Sequence, residues 1–275
     1  MLSLNTNTTS LMVQRNLTKA TKGLNSAIEQ LTTGYKLNHS KDNPANYAMM
    51  RGIQTKLSAW DVAQDNMMIG NDLLETASDN ASLIENHVIR IRDLCQQAAN
   101  GTYGENSINA IKAEIQGRLD EIERIRESTE FNDIKLFGEI QENGEVKGKA
   151  INIQVGIDSS ESSRISIDTT LNLEGLKDFA DADITDASIL DRVDGILSEL
   201  SSYQVKVGAS QNRIECAIDY ADVMTRNLTS SLSTIRDADI AKVSSDFIRY
   251  QILQQACATL LATANQMPSL ALQLI

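Results

Sequence analysis

Aromatic residues are scarce in this chain, at 4% of 275 residues, and proline occurs only twice, as Pro44 and Pro268. So few rings exclude a compact core built on large side chains and favour long helices packed closely on Ala, Leu and Ile. So few prolines leave long stretches that nothing interrupts. The three cysteines, Cys95, Cys216 and Cys257, are an odd set without metal-ligand spacing and imply neither a disulfide framework nor a zinc site. Cys95 falls on an apolar stripe and Cys216 beside another, so both read as small buried hydrophobes. No apolar run reaches ~18 residues, so no membrane-spanning segment is expected. The opening MLSLNTNTTSLMVQ has neither a basic n-region nor a continuous apolar h-region, so it does not read as a Sec signal peptide, and any route out of the cell would be a different one.

Chemistry is equally thin. Of two histidines, His39 sits in a turn-rich loop and His87 flanks Val88. The zincin, phosphate-loop, dinucleotide, nucleophile-elbow and CxxC templates are all unfilled. Glu121 with Glu123, and Asp237 with Asp239, read as i,i+2 pairs on helices that do not face each other. The expectation is a protein without catalytic site, cofactor or metal.

What is present is periodicity. From Ile53 through Trp60, Met67, Leu74, Ala81 and Val88 to Cys95, apolar or small residues recur every seven positions. A second series, Ala63, Gly70, Ala77, Ile84, Ile91 and Ala98, is offset by three. This is the a/d seam of a coiled coil, and it predicts a helix of roughly 70 Å. Such a helix needs a partner of matching length. The chain supplies one in Ile196, Leu200, Tyr203, Val207, Ser210 and Ile214, continuing through Ala217, Ala221, Met224, Leu228 and Ser231 to Ile235. The expected fold is mainly α, a long antiparallel helical coiled-coil bundle.

The remainder sorts around these two helices. A helix from about residue 10 carries Leu17, Leu24 and Leu31 one heptad apart, with Ala20, Ala27 and Ile28 between, and Gly34 ends it. Residues 38–46, NHSKDNPAN, read as a loop or hinge at Pro44. The first seam helix stops at Asn100-Gly101-Thr102, and a shorter helix follows with Ile108, Ile111, Ile115, Leu119 and Ile122. Between 131 and 170 the period changes to two at residues 150–156 and 164–168, with turn chemistry at Asn143-Gly144 and Asp158–Ser160, which predicts a small β-hairpin element. The last segment is amphipathic with few charges, its apolar positions including Ile240, Val243, Phe247, Ile252, Ala256, Leu260 and Met267.

Net charge is −12, which argues against nucleic acid as a partner. Residues 1–40 carry +3 and residues 241–275 carry +1, so the middle carries −16. The two ends are chemically alike and unlike the centre. They read as a terminal helical domain (1–45 and 236–275), a terminal two-helix coiled coil whose helices order only against other copies. A rod-like bundle (46–235) completes the chain, with its β element at about 131–170. A contact between copies that does not close on itself makes a helical filament. One further row stands out on the first seam helix. Arg90, Leu94 and Gln97 lie at helical spacing beside the seam, and two readings stand: packing under the next helix, or a partner contact.

Several stretches carry a family pattern. They are Gln30–Asn38 with Ser40-Lys41-Asp42, Ile89–Leu94 with Gln97–Thr102, Gly208–Arg213, Asp237-Ala238-Asp239, Gln251–Ala256 and Ala264–Pro268. Together they resemble bacterial flagellin, over residues 1–135 and 190–275 and in the correct order. The resemblance implies a non-enzymatic filament subunit for motility, secreted through the flagellar type III export apparatus with a chaperone and a filament cap, and located in the extracellular flagellum. It implies that the terminal helices form an inner tube, with Leu17, Leu24, Leu31, Ile252, Leu253, Ala256 and Leu260 as packing residues. The long helices with the β element would form the shell around it. Residues ~140–185 are too short for the family's variable outer domains, so the chain is similar to a minimal flagellin. Arg90, Leu94 and Gln97, with Glu114 of the next helix, match the segment that the flagellin-sensing Toll-like receptor 5 of a host grips, and the same surface is an expected subunit contact. A hook–filament junction or other axial protein is the alternative of the same build. Lys41–Asn46 departs from the family's loop by Pro44, and Cys95-Gln96 replaces a small or branched pair.

Overall fold

The computed structural model describes residues 7–140, 146–148, 150–177, 179, 184–186 and 188–273. Five long helices dominate it. They are α1 (Thr8–Thr33), α2 (Pro44–Ala98), α3 (Glu105–Ser128), α5 (Ser188–Arg236) and α6 (Ile240–Gln273), with a four-residue α4 (Glu174–Lys177) before α5. Among the described residues six short strands lie between α3 and α4: β1 (Glu130–Phe131), β2 (Ile134–Lys135), β3 (Glu139–Ile140), β4 (Val146–Lys147), β5 (Ile151–Gln154) and β6 (Arg164–Ile167), paired antiparallel as β1–β2, β3–β4 and β5–β6. Contacts divide the chain into two compact units, residues 1–57 with 226–275, and residues 58–225.

In the unit formed by residues 58–225, α2 and α5 run antiparallel. Arg92 pairs with Asp194 at 2.6 Å, Gln204 donates to Glu85 at 2.8 Å, and Gln64 donates to Asp222 at 2.6 Å. As one member's number rises the other's falls, which is the signature of opposed directions. The seam between them is the one the spacing predicts: Trp60, Met67, Leu74, Ala81, Val88 and Cys95 are buried, as are Val193, Ile196, Leu200, Val207 and Ile214. Helix α3 turns back along α2, with Arg90 on Glu114 and Arg118 against His87, and buries Ile111, Ile115, Ile122 and Ile125. Gly70 is the seam position where the β5–β6 hairpin enters. A Cβ there would collide with the Ile153 side chain, so the missing methyl makes room for the strand. Phe137 and Tyr203 meet edge to face at 5.9 Å and carry the packing towards α5.

Several residues lie elsewhere than the sequence pattern predicts. Pro44 is not in a loop but is the first residue of α2, where its missing N–H costs nothing and its fixed φ suits a helix start. Asn43 precedes it and accepts from the Asn46 N–H at 3.1 Å. Cys216 is exposed, because it falls two residues after Ile214 and points away from the seam. Ser231 is exposed and Leu232 buried instead. A straight helix drifts about 20° per heptad from a perfect seven-residue repeat, and over the length of α5 the drift reaches a whole position. The expected turn at Asn143-Gly144 lies outside the described residues. A tight hairpin turn that the sequence reading did not single out joins β1 to β2, with Asn132 and Asp133 both left-handed at φ 48° and 63°.

Candidate assembly surfaces

The unit formed by residues 1–57 and 226–275 is built on α1 and α6, which run antiparallel as a two-helix coiled coil. On α1 the inward positions are Ser10, Val13, Leu17, Ala20, Leu24, Ala27 and Leu31, spaced alternately three and four. On α6 they are Val243, Phe247, Tyr250, Gln254, Cys257, Leu261 and Ala264, spaced alternately four and three. Gln254 donates to the Thr21 hydroxyl at 3.3 Å, Asn7 donates to the Ala264 carbonyl at 2.7 Å and Ser10 to Asn265 at 2.8 Å. The Gly34 cap has φ 75°, which closes α1 in the left-handed conformation that favours glycine.

Beyond that cap the backbone makes a clasp. Tyr35 pairs with Asp237 in an antiparallel bridge, the Lys36 N–H donates to the Arg236 carbonyl at 2.8 Å, and the Ala238 N–H donates to the Gly34 carbonyl at 2.9 Å. The Arg236 guanidinium lies 4.1 Å over the Tyr35 ring, and Lys36 Nζ donates to the Thr234 carbonyl at 2.9 Å, near the end of α5. Hydrogen bonds from Ser233 and Arg236, with Lys36 nearby, hold the Asp237 carboxyl below its usual range. Asp239 accepts from the N–H groups of Ala241 and Lys242 and caps α6. The two aspartates read from sequence as helical surface thus sit between helices, one in a bridge and one in a cap.

The predicted packing residues divide. Leu17, Leu24 and Leu31 are half-buried on the α1 seam. Ile252 and Leu260 stand 60% and 56% exposed, and Leu253 and Ala256 are exposed as well. The α1–α6 seam uses other positions on α6, so Ile248, Ile252, Ala256 and Leu260 form a separate apolar stripe at a spacing of four. Both faces of α6 are apolar, so hydropathy alone does not separate them.

In the other unit, Arg90 and Glu114 pair at 3.0 Å with side chains 47% and 39% exposed, and Gln97 donates to the Tyr103 hydroxyl at 2.8 Å. Leu94 is 2% exposed, so packing explains its apolar side chain and the accessible part of the row is Arg90, Gln97 and Glu114. Exposed apolar residues that the seam reading passed over also lie on α2, at Val62, Ile69 and Leu83. Their signal was visible as apolar residues at multiples of seven, off the a and d positions.

A cavity of about 300 Å³ opens beside α2, lined by Asn66, Ile69, Gly70, Leu73, Phe131 and Ile134 among others, with no titratable side chain in its wall. Among the described residues no group of three His, Cys, Asp or Glu side chains is placed to hold a metal ion. No described helix is long and apolar enough to cross a membrane.

Comparison with known proteins matches residues 4–142 to the bacterial flagellin N-terminal helical region and residues 190–275 to the bacterial flagellin C-terminal helical region. A flagellin of Halalkalibacterium halodurans is 33% identical over 254 residues, covering 90% of this chain and 90% of that protein. A flagellin of Bacillus subtilis is 32% identical, covering 90% and 91%. A flagellin of Listeria monocytogenes is 27% identical over 100% of this chain and 99% of that protein.

Proposed function

Because this chain belongs to the bacterial flagellin family, we propose that its terminal unit builds the inner tube of a filament and its other unit the surrounding shell. The chain is a structural subunit of the bacterial flagellar filament, the polymer that serves motility. The observation that carries the assignment of units is the α6 stripe of Ile248, Ile252, Ala256 and Leu260, which remains exposed after the α1–α6 seam has closed. Burying one large apolar side chain of this kind contributes about 1.5–3 kcal/mol. Several per subunit, repeated along a polymer, are enough to drive association. The work is mechanical: stiffness from helix packing, with no reaction catalysed.

The same reading gives the chain its partners. It leaves the cell through the flagellar export apparatus with a secretion chaperone, elongates beneath a filament cap and resides outside the cell. Arg90, Gln97 and Glu114 form the accessible row for a neighbouring subunit or for Toll-like receptor 5 of a host, with Leu94 supporting that row from beneath.

The test is seeded assembly. Purified protein, heated to monomers and cooled with filament seeds, is expected to give long filaments in negative-stain microscopy. A variant lacking its first forty and last forty residues is expected to give none. Tubes built readily by the trimmed variant would overturn the assignment of the terminal unit. Failure of the intact chain to elongate seeds would move the reading to a hook–filament junction protein.

A further inference from the structure

Each of α1 and α2 carries, opposite its buried seam, a stripe of charge of one sign. On α1 the face away from α6 presents Met12, Arg15, Lys19 and Lys22, all exposed, and the three cations form no ion pair with any described residue. On α2 the face away from α5 presents Asp61, Asp65, Met68, Asp72, Glu75 and Asp79, also exposed, and the five carboxylates likewise form no ion pair with a described residue. The spacing within both stripes alternates four and three, so each runs nearly parallel to its helix axis. Each also carries one exposed methionine among the charges, a flexible apolar side chain suited to a helix laid alongside.

Like charges three and four apart on one helix repel and destabilise it, so neither stripe improves the helix that bears it. Each is accounted for by an opposite charge that the described chain does not supply. The chain-wide distribution points the same way, since residues 1–57 with 226–275 carry +6 and residues 58–225 carry −18.

We infer that the basic stripe of Arg15, Lys19 and Lys22 on one copy docks against the acidic stripe of Asp61–Asp79 on a second copy. The occupant of each face is a second copy because the complementary stripe, in sign, spacing and accessibility, is present in the same sequence. The contact is electrostatic and fixes which neighbour a subunit accepts and in which register. It is separate from the apolar α6 stripe. The inference rests on the filament reading, in which each copy lies packed against neighbouring copies.

The experiment is zero-length carbodiimide cross-linking of wild-type filaments and of wild-type monomers, followed by peptide mass spectrometry. Filaments are expected to yield amide links from Lys19 or Lys22 to Asp65, Asp72, Glu75 or Asp79 that monomers lack. Filaments without such links overturn the inference while leaving the filament reading intact, and failure to form filaments at all overturns both. A charge exchange provides the second arm. The Arg15→Glu, Lys19→Glu, Lys22→Glu variant is expected to elongate seeds of its own kind at least tenfold more slowly than wild type, with an unchanged helical circular dichroism signal. Adding Asp65→Lys, Asp72→Lys and Glu75→Lys to that chain is expected to restore elongation. Wild-type elongation by the first variant, or no recovery in the second, overturns the inference.

Discussion

Gly23 of α1 lies against the ring of Tyr250 of α6, so closely that a Cβ at position 23 would stand 2.6 Å from two ring carbons. The pair sits inside the α1–α6 seam, where the glycine lets the tyrosine ring approach the α1 backbone. Gly23→Val is therefore expected to cost the terminal coiled coil about 1–3 kcal/mol through overpacking, more than the small helix-propensity gain of valine over glycine returns. Hydrogen exchange is the measurement, with protection falling in α1 and α6 and unchanged in α2 from residue 60 to 98. Equal loss in both units would refute the local origin.

Leu94 and Arg90 sit one turn apart and are expected to fail differently. Leu94→Asp places a carboxylate where the side chain is 2% exposed, and is expected to destabilise the monomer by about 3–5 kcal/mol. Arg90→Ala removes one partner of a half-exposed ion pair, and is expected to cost the monomer less than about 0.5 kcal/mol. Thermal unfolding of monomers separates them. If Arg90→Ala leaves the monomer stable but reduces assembly or receptor signalling, the row is a contact; if it changes neither, the contact role is lost.

Ile252→Asp and Leu260→Asp test the exposed stripe on α6. Both side chains lie off the intramolecular seam, so monomer stability is expected to stay within about 0.5 kcal/mol of wild type. Elongation on seeds is expected to fall at least tenfold for either variant and to vanish for the pair. Normal elongation by the pair would remove the main support for a tube made of α6.

Acid is expected to weaken both units through carboxylates held in their ionised form. Asp194 is kept below the usual aspartate value of 3.8 by its hydrogen bonds from Arg92, and Asp237 by those from Ser233 and Arg236. A carboxyl whose folded pKa is depressed contributes stability above the unfolded value and loses it as pH falls through the folded one. Monomer stability is thus expected to be level from neutral pH to about pH 4 and to decline below it. Asp194→Asn is expected to flatten part of that decline. A carboxyl titration by NMR that places either residue above 3.8 would contradict the geometry.

Periodicity alone revealed the seams of α2 and α5, because a helix has one repeat and an apolar stripe on it must be covered. C-cap glycine chemistry revealed the end of α1 at Gly34, and a period of two revealed the β5–β6 pair, whose alternation of Ile151, Asn152 and Ile153 requires two different faces. Where both faces of a helix are apolar, as on α6, composition does not say which one closes within the chain. There the seam runs through Tyr250, Gln254 and Cys257, residues that hydropathy ranks below the Ile252 and Leu260 left outside.

What the amino-acid order determined by itself is the set of elements and the stripes they carry, since local repeats and caps act over a few residues. What the tertiary structure decided is which stripe is used up inside the molecule: Leu94 within, Cys216 without, Leu232 in place of Ser231, Asp237 drawn into a bridge with Tyr35. Those outcomes depend on which helix lies alongside and how far its register has drifted, and neither is encoded in any single stretch of the chain.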